Sequence, residues 1–242
     1  MNAPVDRYDN PDPIIPSWAA PTYLGFAIFA ALAYGVLDLL VVSMPGMAVA
    51  KVLGPVLLAL YAAFSRAPIL TLALILSACG DFMLALNPPA REAGIAFFGA
   101  AHLAYIALFV LVILQKGFRT DGLVLTAALT AFAIALYVWL SPGMGALRGP
   151  VTAYIGIIVI MAALAALMEG PRLVTLGALL FVLSDSLIAA GWFGGLEVRA
   201  GGWDLLGAAI WATYFFGQLG LAMGVVRLKR KEAAERAASD QV

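Results

Sequence analysis

The chain has 242 residues, 64% of them hydrophobic, with 14 basic and 14 acidic side chains and a mean hydropathy of +1.00. Soluble domains carry about 45–50% apolar residues, so this composition excludes an ordinary soluble protein and fits a polytopic membrane protein. A single Cys excludes an intrachain disulfide. With only one His (His102) beside it, the multi-histidine metal site of many intramembrane hydrolases cannot be built, because zinc centres usually take three or four such ligands.

Residues 1–17 are polar and hold Pro4, Pro11, Pro13 and Pro16, without the basic start and small-residue cleavage site of a signal peptide, which predicts a disordered tail. From there to residue 226 the chain reads as an all-α transmembrane domain (18–226) of eight spans, each near the ~17–25 apolar residues needed to cross a bilayer. They fall near 19–43, 47–65, 68–88, 93–115, 120–140, 149–168, 172–193 and 203–226. The breaks carry turn chemistry: Pro45-Gly46, Arg66 to Pro68, Asn87-Pro88-Pro89, Lys116-Gly117, Ser141-Pro142-Gly143, Gly170-Pro171 and Gly194-Gly195. Residues 227–242 form a basic tail, too short for a nucleic-acid partner and suited to a membrane surface.

Ten Lys and Arg (Arg7, Arg66, Lys116, Arg119, Arg172 and five in the tail) fall on one side of these spans. Only Lys51, Arg91, Arg148 and Arg199 fall on the other. The positive-inside rule then puts both termini in the cytoplasm, and a bacterial inner membrane is the expected location.

Within the third span, Leu76-Ser77-Ala78-Cys79-Gly80-Asp81 sets a carboxylate deep in an apolar run, and Leu183-Ser184-Asp185-Ser186 does the same in the seventh. A carboxylate at such depth costs about 2.5–3.5 kcal/mol on insertion scales and marks a functional site by default. Ser77 shares the face of Asp81 at i, i+4, and Gly80 lets a neighbour approach the backbone closely. At 1.5 Å per residue both aspartates lie roughly 4–5 Å beyond their helix centres. Asp38, Lys51, His102 and Tyr154 fall in the same half of the membrane. His102 and Tyr105 (i, i+3) can face one cavity, as can Tyr214 and Gln218 (i, i+4). Such clustering predicts a single polar cavity opening toward the outer half. Asp81 and Asp185 also recur at a displacement of four spans, which would be a parallel internal repeat of spans 1–4 in spans 5–8.

Each residue has a plainer explanation. The aspartates can glue helices together, Asp38 and Lys51 can reach the interface, and the tyrosines can pack. Ser77 and Ser184 can bond their own helix carbonyls. Phe98 and the tryptophans read as packing. No Gly-x-Ser-x-Gly, His-Glu-x-x-His or phosphate loop occurs. Buried Asp, Lys and His also suit a proton-coupled transporter or scramblase of a lipid or small amphiphile, or a scaffold without catalysis.

Taken together, Ser77-x-x-Gly80-Asp81, Phe98-x-x-x-His102-x-x-Tyr105, Ser184-Asp185 and Trp211-x-x-Tyr214-x-x-x-Gln218 resemble the YhhN family across about residues 20–226. Lys51 is followed by Pro only at Pro55, not immediately as in the family. The resemblance implies an eight-span lysoplasmalogenase with a lysophospholipid substrate, hydrolysing the sn-1 vinyl ether to a fatty aldehyde and a glycerophospho-alcohol. No cofactor is implied. Such chemistry needs one carboxyl to protonate the alkene and one anion to stabilise the oxocarbenium ion, as glycosidases arrange with two carboxylates. Asp81 and Asp185 are the expected catalytic pair. Asp38, Lys51, Ser77, His102, Tyr105, Tyr154, Ser184, Tyr214 and Gln218 are the expected supporting or substrate-binding residues, with Lys51 placed to meet the phosphate.

Overall fold

A computed structural model describes residue Pro16 and residues 19–40 and 46–239, so nearly all of the proline-rich tail lies outside the described residues. Eight helices organise the described chain: α1 (Ala20–Leu39), α2 (Met47–Phe64), α3 (Pro68–Leu84), α4 (Arg91–Lys116), α5 (Leu123–Leu140), α6 (Arg148–Leu167), α7 (Arg172–Gly194) and α8 (Leu205–Ser239). Their ends follow from local chemistry. Pro68 opens α3 where its missing N–H costs nothing, and Gly117 (φ 87°) and Gly195 (φ 67°) close α4 and α7 in conformations that a side chain would resist. Within α2, Pro55 has no N–H to offer the carbonyl of Lys51, so the helix ladder is broken beside that lysine.

Seven of these helices are long and apolar enough to cross a membrane. The third expected span is shorter. Its helix stops at Leu84, ahead of Asn87-Pro88-Pro89, because a residue preceding proline is driven out of the helical region. At 17 residues it is roughly 25 Å long, against a hydrocarbon core of about 30 Å. Between α7 and α8 a hairpin forms from β1 (Arg199–Ala200) and β2 (Trp203–Asp204). Two residues per strand leave no alternation to read in the sequence, which predicted helices alone.

The packing order places α8 at the centre. It makes its most extensive contact with α7 and returns to α1, α2 and α3, while α4 joins α3 to α6. α5 is peripheral, touching α6 and α7. Large apolar side chains such as Phe29, Leu114 and Val124 stand exposed, as lipid-facing residues do. The basic segment after residue 226 continues α8 without a break and docks on the bundle. Lys229 Nζ donates to the Arg66 carbonyl at 2.6 Å, and Lys116 pairs with Glu232 at 3.2 Å. Arg66, Lys116 and the tail are therefore at one end of the bundle, as the charge grouping placed them.

Close approach of α7 and α8 depends on glycine. A Cβ on Gly177 would stand 2.7 Å from both the Gly217 carbonyl oxygen and the Leu221 nitrogen, and one on Gly224 would stand 2.6 Å from Val174. Small residues at helix contacts are the usual means of tight association in membranes. We expect Gly177→Val to cost about 1–3 kcal/mol or more by overpacking. Thermal unfolding in detergent should show that loss, while Gly149→Ala, with open space around its Cβ position, should barely move the transition.

Candidate active site

The site lies at the end of the bundle where α1, α3 and α7 finish and α2 and α8 begin. There a cavity of about 330 Å³ is lined by Tyr34 and Asp38 of α1, Lys51 of α2, Asp81 of α3, and Ser184 and Asp185 of α7. Tyr214 and Trp211 of α8, Phe98 of α4 and Asp204 complete the polar and aromatic wall. Most of these side chains are held by a neighbour. Tyr34 donates to Asp38 Oδ1 at 3.1 Å, one helical turn apart, and Trp211 Nε1 donates to the Ala31 carbonyl at 2.8 Å, pinning α8 to α1. Asp204 caps the central helix by accepting the Gly207 N–H at 2.9 Å.

Asp81 is 3% exposed, and its counter-charge is Lys51, with Nζ 3.9 Å from Oδ1. Lys51 can reach it because α2 begins only four residues earlier, at the same end of the bundle. Phe98 lays its ring on Gly80: an added Cβ there would meet it at 2.7 Å. The close approach that Gly80 permits is thus used by an aromatic side chain rather than a backbone. Asp81 and the Tyr214 hydroxyl are both buried and lie close enough to interact across the cavity wall.

Asp185 is held differently. The Tyr154 hydroxyl donates to its Oδ2, and His102 Nε2 lies 2.8 Å from the Tyr154 oxygen and 3.5 Å from the same carboxylate atom. A phenol has one proton, and here it goes to Asp185. Tyr154 therefore accepts from His102, which assigns the Nε2–H tautomer from the network. His102 is fully buried and packs edge-on to Phe181 with ring centroids 4.7 Å apart. The chain His102–Tyr154–Asp185 joins α4, α6 and α7 and fixes the carboxylate at the cavity wall. The charges of Asp81 and Asp185 are close enough to act on each other.

Of the residues singled out from sequence, Asp38, Lys51, Asp81, Ser184, Asp185 and Tyr214 line this cavity. Tyr154 and His102 stand behind Asp185. Three do not face it, contrary to expectation. Ser77 is fully buried and donates to the Ala73 carbonyl of its own helix at 2.9 Å, the plainer explanation. Tyr105 and Gln218, both fully buried, pair with each other at 2.6 Å and join α4 to α8. Helical spacing fixed which residues share a face but not which neighbour that face meets. Ser184, by contrast, donates across to the Ile210 carbonyl of α8 at 3.0 Å rather than to its own helix.

Sequence reasoning missed Tyr34, Asp204 and the cavity role of Phe98, Trp192 and Trp211. The i, i+4 spacing of Tyr34 and Asp38 was a usable signal, as was an acidic residue at the start of the last apolar run.

The fold and this cavity define an integral membrane protein with two partnered carboxylates at one internal site. The chain belongs to the YhhN family, whose sequence profile matches residues 46–225. Relatives named lysoplasmalogenase in Mycobacterium bovis and Mycobacterium tuberculosis are each 33% identical over 156 residues. Each match covers 60% of this chain and 60% of the relative, so the chain spans under two thirds of the proteins it matches. No solved structure matches it.

The Tyr105–Gln218 pair gives a stability test away from the cavity. Tyr105→Phe leaves the Gln218 carbonyl oxygen buried without its donor, at an expected cost of about 1–3 kcal/mol. Adding Gln218→Met should restore part of that loss, so a double-mutant cycle in detergent should show clear coupling.

Proposed function

We propose that the protein is a lysoplasmalogenase, hydrolysing the vinyl ether of a lysoplasmalogen to a fatty aldehyde and glycerophosphoethanolamine or glycerophosphocholine. The observation that carries this reading is the pair Asp81 and Asp185, which reach one cavity from helices a hundred residues apart in a chain of this family. One carboxyl delivers a proton to the β-carbon of the alkenyl chain. The resulting oxocarbenium ion is stabilised by the other carboxylate. Water adds to the cationic carbon and loses a proton to the pair. The hemiacetal then breaks its bond to the glycerol oxygen, which takes up a proton as the aldehyde forms. In sum, one water is consumed and one C–O bond is cleaved.

The supporting residues divide by position. Lys51 is the cation on the cavity wall and meets the substrate phosphate, while Asp38 lines the same cavity. Ser184 and the His102–Tyr154 chain keep Asp185 in place. Tyr105 and Gln218 hold α4 against α8 and so act on the site through packing. Ser77 has only a local role. We take α3 as an eighth span despite its length, and both termini as cytoplasmic, in a bacterial inner membrane. A parallel repeat of spans 1–4 in spans 5–8 is part of this reading, carried by the matching positions of Asp81 and Asp185.

Purified protein in detergent should release aldehyde from a 1-alkenyl lysophospholipid. Asp81→Asn and Asp185→Asn keep size and most hydrogen bonding but remove the titrating group. Each should lower turnover about 10²–10⁴-fold, the usual worth of a positioned acid or base, with the melting temperature kept. A pair that merely joined helices would tolerate Asn with near-normal turnover. That result in either variant would remove the residue from the chemical step.

Among the described residues no three His, Cys, Asp or Glu side chains gather as a metal site requires. One His and one Cys cannot supply the usual zinc ligands, which leaves only a carboxylate-held magnesium as an alternative, so aldehyde release is expected to be unchanged by EDTA. Inhibition reversed by an added divalent ion would contradict this.

A further inference from the structure

Beside the polar cavity lies a second one of opposite character. It is a slot of about 80 Å³ lined by α4, α5, α6 and α7 with Leu84 of α3. Apart from Tyr154, Asp185 and Ser186, its walls are aliphatic or aromatic, and Ser186 turns its hydroxyl to the Val182 carbonyl of its own helix at 2.7 Å. The slot and the polar cavity share a wall made by Leu84, Phe98, Asp185, Ile188 and Trp192. Asp185 is the only ionisable side chain in that shared wall. Both cavities lie toward the same end of the bundle. On its far side the slot is bordered by Phe132, which is 44% exposed, so it reaches the lipid-facing surface at α5.

We propose that this slot receives the aliphatic chain of the amphiphile whose polar part occupies the adjoining cavity, and that Asp185, at the junction, is the carboxyl that meets the bond between the two parts. The proposal rests on the hydrolytic reading and deepens it. A lysolipid has one polar end, one chain and a labile bond where they join. The two adjoining cavities reproduce that division. Lys51, Asp38 and Asp204 line only the polar cavity, while Ile155 and Ala133 line only the slot. The polar side chains on the slot wall are drawn away from it: Tyr154 donates to Asp185, and Ser186 bonds backbone. The slot is too small for a whole long chain, but its open side at Phe132 lets the remainder run on into the bilayer. The aldehyde has the same route out, while the water-soluble product leaves by the polar cavity.

Two substitutions fill the slot without touching the polar cavity: Ala133→Phe on α5 and Ala189→Phe on α7, four residues beyond Asp185. The readout is the ratio of kcat/KM for a hexadecenyl lysoplasmalogen to its propenyl analogue, whose chain is too short to occupy the slot. A general loss of folding or of catalytic geometry would lower both values together. Filling the slot should lower the ratio at least about tenfold, the scale on which a hydrophobic pocket discriminates. An unchanged ratio in variants that still turn over would overturn the proposal.

A second measurement needs neither substitution nor turnover. A saturated 1-O-alkyl lysophospholipid with a diazirine in mid-chain is photolysed on the wild-type protein, and the labelled peptides are mapped by mass spectrometry. Label on residues 132–136 and 151–159, displaced by unlabelled lysolipid, is the expected result. Label confined to α1, α2 or α8, or not displaced, would overturn the proposal. The two readings fail separately. Displaceable labelling of the slot without aldehyde release would leave the chain site standing and remove the hydrolase. Aldehyde release with label elsewhere would do the opposite.

Discussion

Two carboxylates held inside an apolar helical bundle are the constraint on which the rest of this structure depends. Neither can be left alone, because an unpaired charge in such surroundings costs more than any nearby packing returns. Each is given a different kind of partner. Asp81 faces a cation, Lys51, whose helix starts four residues earlier and whose ladder is interrupted by Pro55. Asp185 receives a phenol proton from Tyr154, which is itself held by His102. These partners come from α2, α4 and α6, so satisfying two side chains fixes how five helices sit relative to one another. Hydrogen-bond networks of this kind are worth little as a sum of pairs and much as a specification of one arrangement.

The central position of α8 follows from that arrangement and from glycine. It must lie close enough to α7 for Ser184 to reach the Ile210 carbonyl and close enough to α1 for Trp211 to reach Ala31. With Gly177, Gly217, Gly220 and Gly224 at the contact, backbone atoms of α7 and α8 come within direct reach of each other. The aromatic layer of Phe98, Phe181 and Tyr214, with centroids 5.3–6.1 Å apart, then fills the space under the cavity floor. Tight backbone packing on one side of α8 and bulky rings on the other leave the cavity as the remaining gap.

How much of this could be read in the chain depended on cost. Burying Asp81 or Asp185 in lipid-facing sequence is so unfavourable that their depth announced a shared site, and the cavity contains both. Lys51, Asp38 and Tyr214 were legible for the same reason. Tyr105 and Gln218 misled because a polar residue on a span must find a partner, and the sequence does not say whether that partner is a cavity or another helix. Asp204 escaped because it sits at the very start of the expected last span, where a carboxylate can reach the interface at little cost. The apolar slot left no trace: Ile155, Ala133 and Phe132 are the same residue types that face lipid everywhere else. Helix bounds were legible to about a turn, with α3 ending at Leu84 ahead of the prolines. The exception is α8, which runs on past the expected residue 226 to Ser239, because its basic last turns are polar and docked on the bundle rather than apolar.

The side-by-side placement of a polar and an apolar cavity bears on why Asp185 is held by a phenol rather than by an ammonium group. A group at the boundary of two such spaces has water on one side only, so it can be solvated from one face and must be held from behind. A lysine there would project its charge into the slot and exclude a hydrocarbon chain. The phenol of Tyr154 holds the carboxylate by a hydrogen bond and lines the slot, while His102 holds the phenol from behind. Asp81, further from the boundary, can keep an ammonium partner in the wetter space, where the Lys51 side chain is 20% exposed. The difference between the two aspartates thus follows from the same division of space that an amphiphile would require.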